Sequence, residues 1–148
     1  MADNPIYRPA GQPMIPGQSA QMTVDAMGNL RVVMDTTNTP WSYVAAAGGL
    51  TNTTAATIAP AVAGFRNGLT NLQIASDALT AATQIVVRDG ANGTVLWRSK
   101  IQTLGLAPTT VTFKTPLMGS VNTLLEVALL TSPVTGAVYF NAQGYLAA

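Results

Sequence analysis

The chain has 148 residues, seven basic and six acidic, with no His and no Cys. Its hydrophobic share of 48% is enough for the core of one domain with an appended arm. Missing Cys excludes disulfides, thiolate nucleophiles and Cys-ligated zinc; missing His excludes Ser-His-Asp and Cys-His catalysis. Charged residues make up only 9%, against about 25% in an ordinary soluble domain. Burial of much of the surface by neighbouring chains accounts for this, because charge is depleted at interface cores. A surface built from Thr, Asn, Gln and Ser accounts for it as well. The net charge is +1 and the cations are scattered, so no electrostatic grip on nucleic acid is expected.

Residues 1–20 contain Pro5, Pro9, Pro13 and Pro16 with Gly11 and Gly17. Proline removes backbone donors and favours extended geometry, so this stretch is expected to form an arm or a tail, not a helix. Ile6, Tyr7, Met14 and Ile15 give it apolar anchors suited to a partner surface. It carries no apolar h-region, and no segment of the chain approaches the ~20 apolar residues of a membrane span. The expectation is a protein made in the cytoplasm, without a secretory signal and without membrane contact.

A hairpin is predicted over 21–35, with Gln21–Asp25 and Leu30–Asp35 flanking Ala26-Met27-Gly28-Asn29. Thr36 to Pro40 breaks the pattern, which divides the chain into an arm with hairpin, 1–40, and a main domain, 41–148. From Trp41, strand-like runs alternate with turn residues. The runs are Ser42–Ala47, Thr54–Ala59, Gly68–Ala75, Thr83–Asp89, Thr94–Ile101, Thr109–Thr115, Asn122–Leu130 and Gly136–Leu146. Asp89-Gly90-Ala91-Asn92-Gly93 is the clearest turn. Single helical turns at Ala78–Thr83 or Ala55–Gly64 are the weaker reading, since neither carries an apolar stripe. The fold class is therefore all-β: an eight-stranded two-sheet sandwich, with a jelly roll as leading topology. An immunoglobulin-like sandwich is the alternative, without its Cys-Trp-Cys core signature.

No residue set supports catalysis, a cofactor or a metal. Of the carboxylates, Asp77 and Asp89 are the best conceivable glycosidase pair, but Asp also favours turns. Asp89–Gly93 lacks the acidic run and bidentate Glu of a calcium loop. No phosphate-binding glycine pattern occurs. Glu126 sits inside the apolar run LLEVALL and needs solvent or a partner, for which Arg66 and Arg98 are candidates at an interface. Trp41, Tyr43, Trp97, Tyr139, Phe140 and Tyr145 are expected in the core or at subunit contacts; a sugar-stacking platform is the other reading.

One series of motifs runs through the main domain in order. It comprises Gly64-Phe65-Arg66-Asn67, Leu69-Thr70-Asn71-Leu72-Gln73-Ile74, Val87-Arg88-Asp89-Gly90 and Thr94-Val95-Leu96-Trp97-Arg98. Thr123-Leu124-Leu125-Glu126-Val127-Ala128 and Val138-Tyr139-Phe140-Asn141-Ala142-Gln143-Gly144-Tyr145 complete it. In these residues the stretch from Trp41 to Ala148 resembles a group of tailed-bacteriophage virion proteins. The resemblance implies a capsid decoration or cement protein, self-associating as a trimer or dimer on the outer shell beside the major capsid protein or other virion proteins. On that reading Ile6, Tyr7, Met14, Ile15, Arg66, Arg98 and Glu126 are the expected partner-binding residues. A tail or fibre-tip module is the alternative within virions, and a carbohydrate-binding module the alternative from another class.

Overall fold

The computed structural model describes residues 38–46 and 48–148 in full, and the backbone of two further strands at 19–24 and 30–35. The chain divides into two units, Met1–Thr37 and Asn38–Ala148. In the first, β1 (Ser19–Val24) and β2 (Leu30–Asp35) pair antiparallel, with Ser19 opposite Asp35 and Val24 opposite Leu30. The expected arm anchors Ile6, Tyr7, Met14 and Ile15, and the expected turn Ala26–Asn29, lie outside the described residues.

The second unit holds eight strands: β3 (Thr39–Val44), β4 (Ala56–Ala59), β5 (Arg66–Ser76), β6 (Thr83–Asp89), β7 (Thr94–Ile101), β8 (Leu106–Met118), β9 (Leu125–Leu129) and β10 (Val138–Ala147). They form two antiparallel four-stranded sheets, ordered β3-β10-β5-β8 and β4-β9-β6-β7. No helix occurs among the described residues. The pairing is nested. β6 pairs with β7, β5 with β8, β4 with β9 and β3 with β10, as in one long hairpin folded over on itself.

Period-two alternation sorts the side chains. In β10, Val138, Phe140 and Ala142 are buried while Tyr139, Asn141 and Gln143 are exposed. In β9, Leu125, Val127 and Leu129 enter the core. Leu72 and Ile74 from one sheet and Ile85, Val87 and Ile101 from the other complete a shared core between the sheets. β5 departs from strict alternation. Its register against β8 shifts between Leu69 and Asn71, so Leu69, Leu72 and Ile74 are all buried on the core side. This bulge explains why neither parity of 69–76 is uniformly apolar in the sequence.

Several boundaries differ from expectation for identifiable reasons. β3 begins at Thr39 and includes Pro40, expected to break the pattern, and β8 includes Pro108 and Pro116, the prolines that flank the predicted run Thr109–Thr115. Both are edge strands, where one side has no ladder to complete and proline is tolerated. β9 begins only at Leu125, because Asn122 takes the left-handed conformation (φ 61°) in the preceding turn. Ala56–Ala59 is a strand and Ala78–Thr83 forms no helical turn.

Candidate functional site

The outer face of the β3-β10-β5-β8 sheet carries two rows of side chains, all uncharged and all polar except Val44. Register aligns Val44, Asn141, Gln73 and Thr110 in one row across all four strands. A second row, two residues along each strand, aligns Ser42, Gln143, Asn71 and Thr112. The rows, with Tyr43 and Ala142 beside them, line a concavity of about 540 Å³ whose lining holds no Asp, Glu, Lys or Arg. Lys114 follows on β8, beyond Thr112 and outside the hollow. Asn141 Nδ2 donates to Gln73 Oε1 at 3.2 Å, which fixes the facing orientation of both amides.

Tyr139 continues the same face of β10, opposite Ala75, and is 39% exposed. Its hydroxyl donates to Asp77 Oδ2 at 3.1 Å. That bond, and the negative charge it reaches, hold the Tyr139 pKa above its usual value. Of the other aromatics expected in core or contacts, Trp41, Tyr43, Trp97 and Phe140 pack in or against the core, while the Tyr145 hydroxyl meets Met118 Sδ at 3.8 Å. Tyr43 stacks on Phe140 (5.5 Å between centroids), Trp97 meets Phe113 edge-on, and the Trp41 indole lies against Gly144.

The three carboxylates of this unit all brace turns. Asp77 Oδ2 also accepts from the Ala137 backbone N–H at 3.2 Å. Asp89 accepts from the Ser120 N–H at 3.0 Å and from its hydroxyl at 2.6 Å, tying the β6–β7 turn to the β8–β9 loop. Glu126 Oε1 accepts from the Asn92 N–H at 2.8 Å and pairs with Arg88 at 3.2 Å. Asp77 and Asp89 therefore serve separate loops, bonded to Ala137 and Ser120 respectively, and form no shared pair. Among the described residues no cluster of three or more His, Cys, Asp or Glu exists to hold a metal ion.

The structure separates the remaining expected contact residues. Arg66 opens β5 in one sheet; Arg98 is exposed on the edge strand β7 of the other, opposite Val86. Glu126 meets neither. It is 4% exposed, and its partner is Arg88, its direct neighbour across the β6–β9 pairing. The polar grid was missed in the sequence, although its signal is present. Asn71/Gln73, Asn141/Gln143 and Thr110/Thr112 repeat uncharged polar residues two apart in three strands.

At one end of the sandwich, the β7–β8 turn and the β9–β10 loop both bond to the β5–β6 connection, through Leu79 N–H to Thr103 O and Ala81 N–H to Pro133 O. They expose Leu104 (92%) and Val134 (73%). Val134 sits at φ 67°, a conformation that β-branched residues avoid. Comparison with known proteins adds no relative: no family model matches the chain, and no curated protein matches it.

Proposed function

We propose that this chain is a non-enzymatic structural protein of a virion, a decoration or cement subunit that self-associates on the outside of a capsid. The observation that carries the reading is the use of all three carboxylates of the sandwich as turn braces. Asp77, Asp89 and Glu126 are bonded to loop amides and neighbouring side chains, and no Asp, Glu, Lys or Arg lines the concavity described above. General acid–base chemistry needs a titrating group at the reacting atoms; the carboxylates are committed to loops, and the Tyr43 ring is stacked on Phe140. Leu104 and Val134, exposed on neighbouring loops, provide apolar contacts suited to assembly. The resemblance of 41–148 to tailed-phage virion proteins supplies the setting, and the nested pairing supports reading the sandwich as a jelly roll. On this reading the Pro-rich arm and hairpin add grip on the shell or on a neighbouring subunit.

Antibody labelling of purified particles from the virus that encodes the chain tests the reading. Label over the head surface is the expected result. Label confined to the tail would replace the decoration role with a tail or fibre-tip role, and unlabelled particles would contradict both.

A further inference from the structure

We propose that the concave outer face of the β3-β10-β5-β8 sheet binds a neutral oligosaccharide, held by the amides of Asn71, Gln73, Asn141 and Gln143. This site is independent of the loops that expose Leu104 and Val134, and its occupant follows from the chemistry of the grid.

Charge decides first. A hollow of about 540 Å³ lined by no Asp, Glu, Lys or Arg has no charged side chain to neutralise a phosphate, a carboxylate or an ammonium group. Desolvating a charged ligand there would be uncompensated. The volume falls within the range of small-ligand sites. A protein partner fits less well. Interface cores are built on aromatic, Met and Arg anchors, whereas this lining is mainly amide and hydroxyl, with Val44 its exposed apolar side chain and Tyr43 stacked on Phe140.

A neutral polyhydroxylated chain matches on every count. Each amide offers two donors and an acceptor with two lone pairs, and each sugar hydroxyl donates and accepts in the same way. The grid repeats at about 4.8 Å across strands and about 7 Å along them, a cell on the scale of one sugar ring. The amides stand on paired strands, and the Asn141–Gln73 bond orients two of them before any ligand arrives. Tyr139, next along β10 and anchored through its hydroxyl to Asp77, offers an aromatic surface for the apolar face of a ring.

The test is calorimetric titration of the full chain with maltohexaose, cellohexaose and chitohexaose, with hexagalacturonate as the charged control. At least one neutral hexamer is expected to bind, and the control is not. Asn71→Ala/Gln143→Ala should weaken that binding about tenfold or more, each lost hydrogen bond to a polar ligand contributing. Its melting temperature should stay that of the intact protein; if it falls, Thr110→Val/Thr112→Val on the edge strand is read in its place, with the same expected loss. Absence of binding by every neutral hexamer at about 10 mM overturns the proposal, since even millimolar affinity would register there. Undiminished binding by the variants overturns it too. A changed oligomer mass in the variants, with no hexamer bound by the intact chain, would make the face a subunit contact and leave the assembly role standing without the sugar site.

Discussion

Glu126 and Arg88 face each other across the β9–β6 pairing and close an ion pair of 3.2 Å, with side-chain exposures of 6% and 16%. The same Glu126 oxygen accepts the Asn92 N–H, and Arg88 also donates to Asn92 Oδ1 at 3.1 Å. One carboxylate thus locks a turn and neutralises a cation on a nearly buried surface. Glu126→Ala strands Arg88 and an amide together, which costs about 3 kcal/mol. In a domain of this size the melting temperature should fall by about 6–12 °C. Glu126→Gln keeps an acceptor for Asn92 and should lose less. Thermal melts of both variants check the order.

Asp89 and Ser120 make the second brace, joining the β6–β7 turn to the β8–β9 loop. Asp89→Ala should destabilise by about 1–3 kcal/mol. Because the carboxylate is already bonded, millimolar calcium is expected to leave the melting temperature of chelator-treated protein unchanged. A calcium-dependent rise that disappears in Asp89→Ala would contradict this assignment; a native-state ligand at about 100 Kd would add about 2.7 kcal/mol.

Tyr139 gives a pH dependence with a definite sign. Its folded-state pKa is raised, first because its hydroxyl donates to Asp77 and then because of the Asp77 charge. The native state therefore holds the phenolic proton more tightly than the unfolded chain. The stabilisation is fully present below the unfolded value of about 10 and is lost as pH rises through the folded value. Ultraviolet titration should show a phenol ionising late. Tyr139→Phe should remove it and flatten this part of the stability profile.

Gly144 lies at the bulge where β10 shifts register against β5. A Cβ there would collide with the Gly68 carbonyl oxygen and the Trp41 indole. Neither can yield easily, since one is backbone and the other is packed on the core. Gly144→Ala should cost about 3 kcal/mol, at the upper end for overpacking. Denaturant unfolding of this variant beside Gly64→Ala separates the two causes. Gly64 has open space for a Cβ and only a positive φ (82°) to oppose it.

The legibility of the fold tracks how local each signal is. β6 and β7 were bounded correctly because Gly90 and Asn92, at φ 90° and 54°, are the residue types their turn requires. β8 was cut short at both ends because Pro108 and Pro116 read as breakers. Their tolerance depends on the strand lying at a sheet edge, which no local pattern reveals. For Glu126 the sequence left two outcomes open, solvent or a partner. Naming that partner required knowing that β9 pairs with β6, a contact between residues 38 apart. The polar grid fails for the same reason. Each strand displays its alternation, but only the order β3-β10-β5-β8 brings Asn71, Gln73, Asn141 and Gln143 onto one surface.

Self-association is the central claim, and the mass of the full chain in solution tests it most directly. Native mass spectrometry of the intact protein at micromolar concentration, checked by light scattering, is expected to give one defined oligomer, a trimer of the 15.3 kDa chain. Such a mass would account for a chain with 9% charged residues as one whose surface is partly covered by its own copies. A clean monomer throughout that range would contradict the account.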